Sequence, residues 1–314
     1  MPVRDVIAIG GSAGSIGVIK EIVRSLPATF PASVFVVVHI SARTHSLLPD
    51  ILNSGLNSSE LRAGEAIEGE RITNGRIYVA PPDRHLIVAR NHIHLARSPK
   101  EGFHRPSINV TFRSAARTYG NRVIGVLVSG LQDDGVAGLW EVARHHGVTI
   151  VQDPNEAQFP AMPVNALREA PVNYRLTTAE IGLVLNRLVS GVEMPEYHNF
   201  SPDELPEDRF VGFTCPECRG PLSETHEHPA EFQCRTGHVF SLKTLVEEHT
   251  SVQERKMYEA ILALEEGASL ADYTAESRPL ETEQESLRRE AEQLRRHATE
   301  IRRLLEERTI ASLD

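Results

Sequence analysis

Short apolar runs and amphipathic stretches alternate along the first 190 or so residues. The runs at 6–9, 34–38, 76–79, 86–89, 94–96, 123–128 and 148–151 are rich in valine, isoleucine and leucine and have the length of buried strands. Between several of them, segments 16–25, 45–54, 107–119, 135–145 and 179–188 carry helical periodicity. Strands this apolar are covered on both faces. Their alternation with helices predicts an α/β fold: a doubly wound, mostly parallel sheet with helices on both faces. Residues 80–97, with two or three short strands in succession, suit an antiparallel excursion from that sheet.

Beyond residue 193 the pattern changes. Residues 194–210 are rich in proline and acid and read as a linker, and 211–243 hold every cysteine of the chain. From 244 to 314 the sequence is charged and helical, interrupted at Glu276-Ser277-Arg278-Pro279. In the last segment Leu287, Ala291, Leu294, Ala298, Ile301 and Leu305 fall on one stripe. That stripe suits a C-terminal helical hairpin first, and a homodimer through the C-terminal helices second. The expected domains are therefore 1–193, a linker at 194–210, a cysteine module at 211–243 and a helical tail at 244–314.

Charge and cysteine usage narrow the function. The chain has 314 residues and a formal net charge of -10, which argues against a nucleic-acid backbone binder. No run approaches the ~18 to 20 apolar residues of a membrane span, and the N-terminus enters a strand without the apolar core of a signal peptide. Three clustered cysteines suit metal ligation in a reducing compartment better than disulfides. A soluble, cytoplasmic protein without membrane insertion is expected.

The most informative motif is Gly10-Gly11-Ser12-Ala13-Gly14, between a strand and a helix. This is the Gly-x-Ser-x-Gly pattern of a nucleophilic serine in its required context. The dinucleotide-binding spacing is absent, with Ser12 where the second glycine belongs, and no Lys-Ser or Lys-Thr follows. A serine needs a base, and His39 ends the second strand, on the sheet edge where α/β proteins build their sites. The strand at 123–128 leads to Asp133 and Asp134, two candidates for the acid that orients the histidine. Backbone N–H groups near Ala13, and from Leu131, could hold an oxyanion.

Cys215-x2-Cys218 followed, after fifteen residues, by Cys234-x3-His238 has the spacing of a tetrahedral zinc site. Four protein ligands make that zinc structural, and no cofactor is expected for catalysis. His226 and His228, in the intervening loop, compete for the fourth position.

Several blocks together resemble the catalytic domain of the CheB methylesterases, which remove methyl groups from glutamate esters on chemoreceptors and deamidate glutamine. Ser12-Ala13-Gly14 matches the family's serine turn and His39 its strand-end histidine. Residues 75–86 and His104-Arg105-Pro106-Ser107-Ile108-Asn109-Val110-Thr111-Phe112 also look like the family. Ser129-Gly130-Leu131-Gln132-Asp133-Asp134-Gly135 corresponds to its aspartate loop, which makes Asp134 the triad acid. Gln132 and Ser15 stand where the family has glycines.

The resemblance implies a Ser-His-Asp hydrolase acting on a methylated chemoreceptor or another methylated protein, alongside a methyltransferase or a separate response regulator. The alternative is a non-catalytic scaffold on the same fold. The cysteine segment resembles the zinc-ribbon-type appendage of family members without a receiver domain. The chain starts almost at the first strand, so activation by a receiver within it is not expected. Arg105 and His104 are candidate contacts for an anionic substrate segment; Asp83, Arg84 and His85 are expected to pair locally.

Overall fold

The computed structural model describes residues 4–40, 46–56, 61–192, 210–218, 221–225, 231–277 and 281–311. The chain divides into two compact units, Met1–Thr244 and Leu245–Asp314.

In the first unit the strands are β1 (Val6–Gly11), β2 (Ser33–Val38), β3 (Arg62–Glu65), β4 (Arg76–Val79), β5 (His85–Ala89), β6 (His92–Ala96), β7 (Val123–Leu127), β8 (Val148–Gln152) and β9 (Tyr174–Leu176). Seven of them form one sheet in the order β3-β4-β2-β1-β7-β8-β9, every pair parallel. The remaining two, β5 and β6, pair antiparallel as a hairpin, the excursion the sequence suggests.

Alternate strand residues face opposite layers, as the two-residue period of a strand requires. Ile7, Ile9, Val34, Val36, Ile124 and Val126 pack with α1 (Ser15–Arg24), α2 (Leu48–Asn53) and a later helix, Thr178–Val189. Their neighbours Val6, Ala8, Phe35, Val37, Val123 and Leu127 pack with α3 (Ile108–Tyr119), α4 (Val136–Arg144), α5 (Ala161–Glu169) and the hairpin. The helix Thr178–Val189, α6, opens with a capping box between Thr177 and Glu180. The central strand β1 has β2 on one side and β7 on the other. The chain winds from β1 to β2 on one side and later returns to β7 on the other, so a crevice opens beyond the carboxyl end of β1.

The cysteine module follows as a four-stranded antiparallel sheet of β10 (Phe210–Thr214), β11 (Pro221–Glu224), β12 (Glu231–Cys234) and β13 (Val239–Ser241). Helix α7 (Leu242–Glu276) starts directly after it. The linker expected at 194–210 lies outside the described residues, except Phe210.

In the second unit α7 pairs with α8 (Glu281–Ala311). Ala298 and Leu305 pack on Ile261, and Ala291 on Ala268 and Ala271. Arg302 reaches Glu265 at 2.7 Å, and Arg295 pairs with Asp272. Ala291, Leu294, Ala298, Ile301 and Leu305 of the α8 stripe thus pack within a hairpin. No helix among the described residues is long and apolar enough to cross a membrane.

Candidate active site

Ser12, His39 and the loop holding Asp134 follow β1, β2 and β7, three adjacent strands, at their carboxyl ends. The register aligns Gly11 of β1 with Val38 of β2, so the serine and the histidine leave the sheet at the same level. Ser12 is fixed by its own N–H, which donates to the Ser129 carbonyl (2.9 Å). Gly14, at φ 72°, turns the chain into α1 through a conformation that side chains disfavour. Ser15, one of the two departures from the family pattern, donates to the Ser12 carbonyl (2.6 Å) and so tightens this turn.

The His39 ring bridges the other two groups. Its Nδ1 lies 3.2 Å from Ser12 Oγ and its Nε2 lies 2.7 Å from Asp134 Oδ2. With a proton on Nε2, directed at the carboxylate, Nδ1 is left to accept the serine proton. The two nitrogens exchange the roles they have in the serine-protease arrangement, where Nε2 faces the serine.

Asp134 is 4% exposed. Besides His39 it accepts from the N–H of Ile108 (2.7 Å), the N–H of Asn109 (3.0 Å) and the Ser107 hydroxyl (2.9 Å). The carboxylate therefore sits on the N-terminus of α3, where free N–H groups and the helix dipole favour an anion. Burial alone would raise its pKa. The His39 hydrogen bond and charge, with the Asn109 N–H, outweigh that and hold it well below the usual carboxylate range. Gly135, at φ 103°, lets α4 start immediately after the acid. A Cβ there would lie 2.5 Å from Leu127 and 2.9 Å from Ile108.

His104 stacks on His39, with ring centroids 3.5 Å apart and planes 6° from parallel. Its Nε2 donates to Gln132 Oε1 (2.7 Å), so the second departure from the family pattern supplies an acceptor at the site. Burial, and next the nearby His39, lower the His104 pKa. Among the described residues the N–H groups of Ala13 and Leu131 donate to no protein acceptor.

Arg105, the candidate substrate contact, is engaged with groups of its own chain. Its Nε and Nη2 donate to Asp83 (2.9 and 2.6 Å) and its Nη1 to the Ser98 carbonyl (2.8 Å). Hydrogen bonds from Arg97 and then Arg105 lower the Asp83 pKa to about 2. His85 is fully buried between the Pro99 carbonyl and the Ser107 N–H.

The second cluster is Cys215, Cys218, Cys234 and His238, whose ligand atoms all lie within 4.8 Å of one another. Cys218 and Cys234 sulfurs are 3.5 Å apart, and His238 Nδ1 lies 3.5 Å from Cys234 and 3.7 Å from Cys215. Tetrahedral zinc, with Zn–S of about 2.3 Å and Zn–N of about 2.0 Å, needs edges of about 3.5–3.8 Å. The donor set fits. The other ring nitrogen of His238 lies 3.3 Å from Glu217, the carboxylate partner that orients metal-bound histidines. Burial pushes the Cys215 thiol up to about 12. His226 and His228 lie outside the described residues.

Comparison with known proteins bears on the first of these sites. The CheB methylesterase family model matches residues 7–185. A Leptospira interrogans protein assigned as a protein-glutamate methylesterase/protein-glutamine glutaminase is 35% identical over 185 residues, 59% of this chain and 94% of its own length. A Methanosarcina mazei protein-glutamate methylesterase/protein-glutamine glutaminase is 36% identical over 174 residues, covering 53% of this chain and 47% of that protein. This chain thus spans about half of that second relative. The crystal structure of the Thermotoga maritima CheB methylesterase catalytic domain superposes with a TM-score of 0.56 at 31% identity, covering 59% of this chain and 98% of that domain. With more than half of its length matched, the chain belongs to the CheB methylesterase family.

Proposed function

We propose that the chain hydrolyses glutamyl methyl esters on a methylated protein, with Ser12 as nucleophile, His39 as base and Asp134 as the acid that orients it. The observation that carries this is the two-sided contact of one imidazole, 3.2 Å from a serine hydroxyl and 2.7 Å from a buried carboxylate. His39 Nδ1 takes the Ser12 proton as Oγ attacks the ester carbonyl, and Asp134 stabilises the imidazolium. The N–H groups of Ala13 and Leu131 are the donors for the oxyanion, each worth about 3 kcal/mol when aligned. The imidazolium returns its proton to the departing methoxide, and methanol leaves. Water activated by His39 then frees the carboxylate from Ser12. A glutamine side chain follows the same route with ammonia as the leaving group.

The names of the relatives point to glutamate esters and glutamine side chains of proteins, and the family resemblance adds a methylated chemoreceptor as the substrate, with a methyltransferase or a separate response regulator in the same pathway. Thiolate ligation in the module suits a reducing cytoplasm. Cys215, Cys218, Cys234 and His238 would hold zinc as a structural ion, all four positions filled by protein.

Reaction of the intact chain with a fluorophosphonate tests this reading. Covalent labelling of Ser12, lost in Ser12→Ala, supports the hydrolase. An unlabelled, folded wild-type chain would favour the scaffold instead.

A further inference from the structure

The candidate triad leaves Asp133 unused, yet Asp133 is almost as buried as its neighbour, 7% exposed against 4%. A carboxylate leaves water only against compensating donors. Here two hydroxyls supply them from beyond the α/β domain: Ser241 Oγ donates to Asp133 Oδ2 and Thr244 Oγ1 donates to Oδ1 (3.0 Å). Ser241 ends β13 and caps α7, accepting the Thr244 N–H on its hydroxyl (3.1 Å). It lies three residues after His238, and β13 pairs with β12, whose last residue is Cys234.

The same strand reaches the opposite wall of the site. The Gly102 N–H donates to the Val239 carbonyl (2.9 Å), and Phe103 packs on Phe240 with ring centroids 5.2 Å apart. Arg113, on the helix whose N-terminus holds Asp134, joins Glu101 (3.1 Å) to Glu231 of β12 (2.8 Å). Residue 104, next in the chain, is the histidine stacked on His39.

From these contacts we infer that the cysteine module is a brace for the active site. Ser241 and Thr244 are positioning residues that hold the acid loop through Asp133. The metal, by fixing β12 and β13, sets the alignment of Asp134 with His39 while taking no part in the chemistry. Hydrolysis therefore depends on zinc occupancy of a site outside the catalytic triad.

The inference rests on the triad reading above, and one experiment separates the two. The full chain, isolated with its zinc, is labelled at Ser12 by a fluorophosphonate before and after treatment with a zinc chelator. The Ser241→Ala/Thr244→Ala double variant and the hydroxyl-preserving Ser241→Thr/Thr244→Ser pair are run beside it. The alanine pair retains its zinc but labels at least about 10-fold more slowly, since a misplacement of catalytic groups by about 1 Å can cost about 100-fold. The hydroxyl-preserving pair restores the rate. Zinc removal slows the wild type by a similar factor and slows the alanine pair little further. Hydrogen exchange gives a readout independent of labelling: zinc removal speeds exchange of residues 130–136 while β1 and β7 stay protected. Wild-type labelling by the alanine pair or by the zinc-free chain overturns the brace, as does unchanged exchange at 130–136. A zinc-loaded wild type that fails to label refutes the triad instead.

Discussion

Replacing Asp134 by asparagine keeps the shape of the side chain and removes its charge, and the contacts of that carboxylate set the size of the effect. In the native chain Oδ2 receives His39 and the Ile108 N–H, while Oδ1 receives the Asn109 N–H and the Ser107 hydroxyl. An amide has one carbonyl oxygen, so in either orientation its NH2 faces a backbone N–H of α3. Loss of the carboxylate also leaves the imidazolium without its counter-charge. At an effective dielectric of about 20, a charge about 4 Å away is worth about 4 kcal/mol, or about 1,000-fold in rate. If the NH2 turns toward His39, the imidazole takes the wrong tautomer and the loss grows to about 10,000-fold. The expected fall in kcat for a small ester is therefore about 1,000- to 10,000-fold, with KM little changed. Ser12→Ala and His39→Ala fall further, to about a millionth. Urea unfolding should show a loss of about 3 kcal/mol or more, because buried donors to a charged acceptor lose their partner. Steady-state hydrolysis of a nitrophenyl ester reads the rates. An Asp134→Asn variant within about 10-fold of wild type, or one less impaired than Asp133→Asn, would refute this reading of the loop.

Further outcomes follow from the same contacts. Elemental analysis should find one zinc per chain, and Glu217→Gln should weaken zinc binding about 10- to 100-fold by removing the partner of His238; unchanged competition against a chelator would count against that geometry. Acid should destabilise the first unit in a defined window. The depressed carboxyls of Asp134 and Asp83 contribute stability above their unfolded pKa of about 4, and that contribution is lost as pH falls through their folded values, for Asp83 about 2. Urea midpoints flat from pH 7 to about 5 and falling below about 4 are expected, with a shallower fall in Asp134→Asn. In the tail, Ala298→Asp puts an unpaired charge against Ile261, where Ala298 is 2% exposed. Its cost of about 2 kcal/mol or more should appear as an earlier loss of helical circular dichroism in the isolated 245–314 segment.

Much of this architecture was legible in the sequence because its signals are local. The valine-rich runs gave the sheet interior, and the position of Ser12 and His39 at strand ends gave two of the three candidate triad residues. Edge strands were not legible. Strand β3 reads Arg-Ala-Gly-Glu and β9 is only Tyr-Arg-Leu, too short and polar to carry the pattern of a buried strand. Helix α5 was hidden because Pro163 falls in its first turn, where proline is tolerated but reads as a breaker. The support of Asp134 by residues 107–109 joins segments about 25 apart in sequence. A serine before a helix suggests a cap, yet this Ser107 gives its hydroxyl to Asp134 and makes no cap bond. Arg105 shows the converse limit: its motif was visible, but the commitment of its donors to Asp83 and Ser98 was not. The contact between Asp133 and the cysteine module spans over a hundred residues and leaves no local trace.

Methanol release from a chemoreceptor methylated on glutamate, measured with the intact chain, shows directly whether Ser12 carries out ester hydrolysis. Release by the wild type is expected, with free glutamate appearing at the modified positions and none above background with Ser12→Ala. Release by Ser12→Ala at the wild-type rate, or its absence from a zinc-loaded wild type that labels with a fluorophosphonate, would contradict hydrolysis by Ser12.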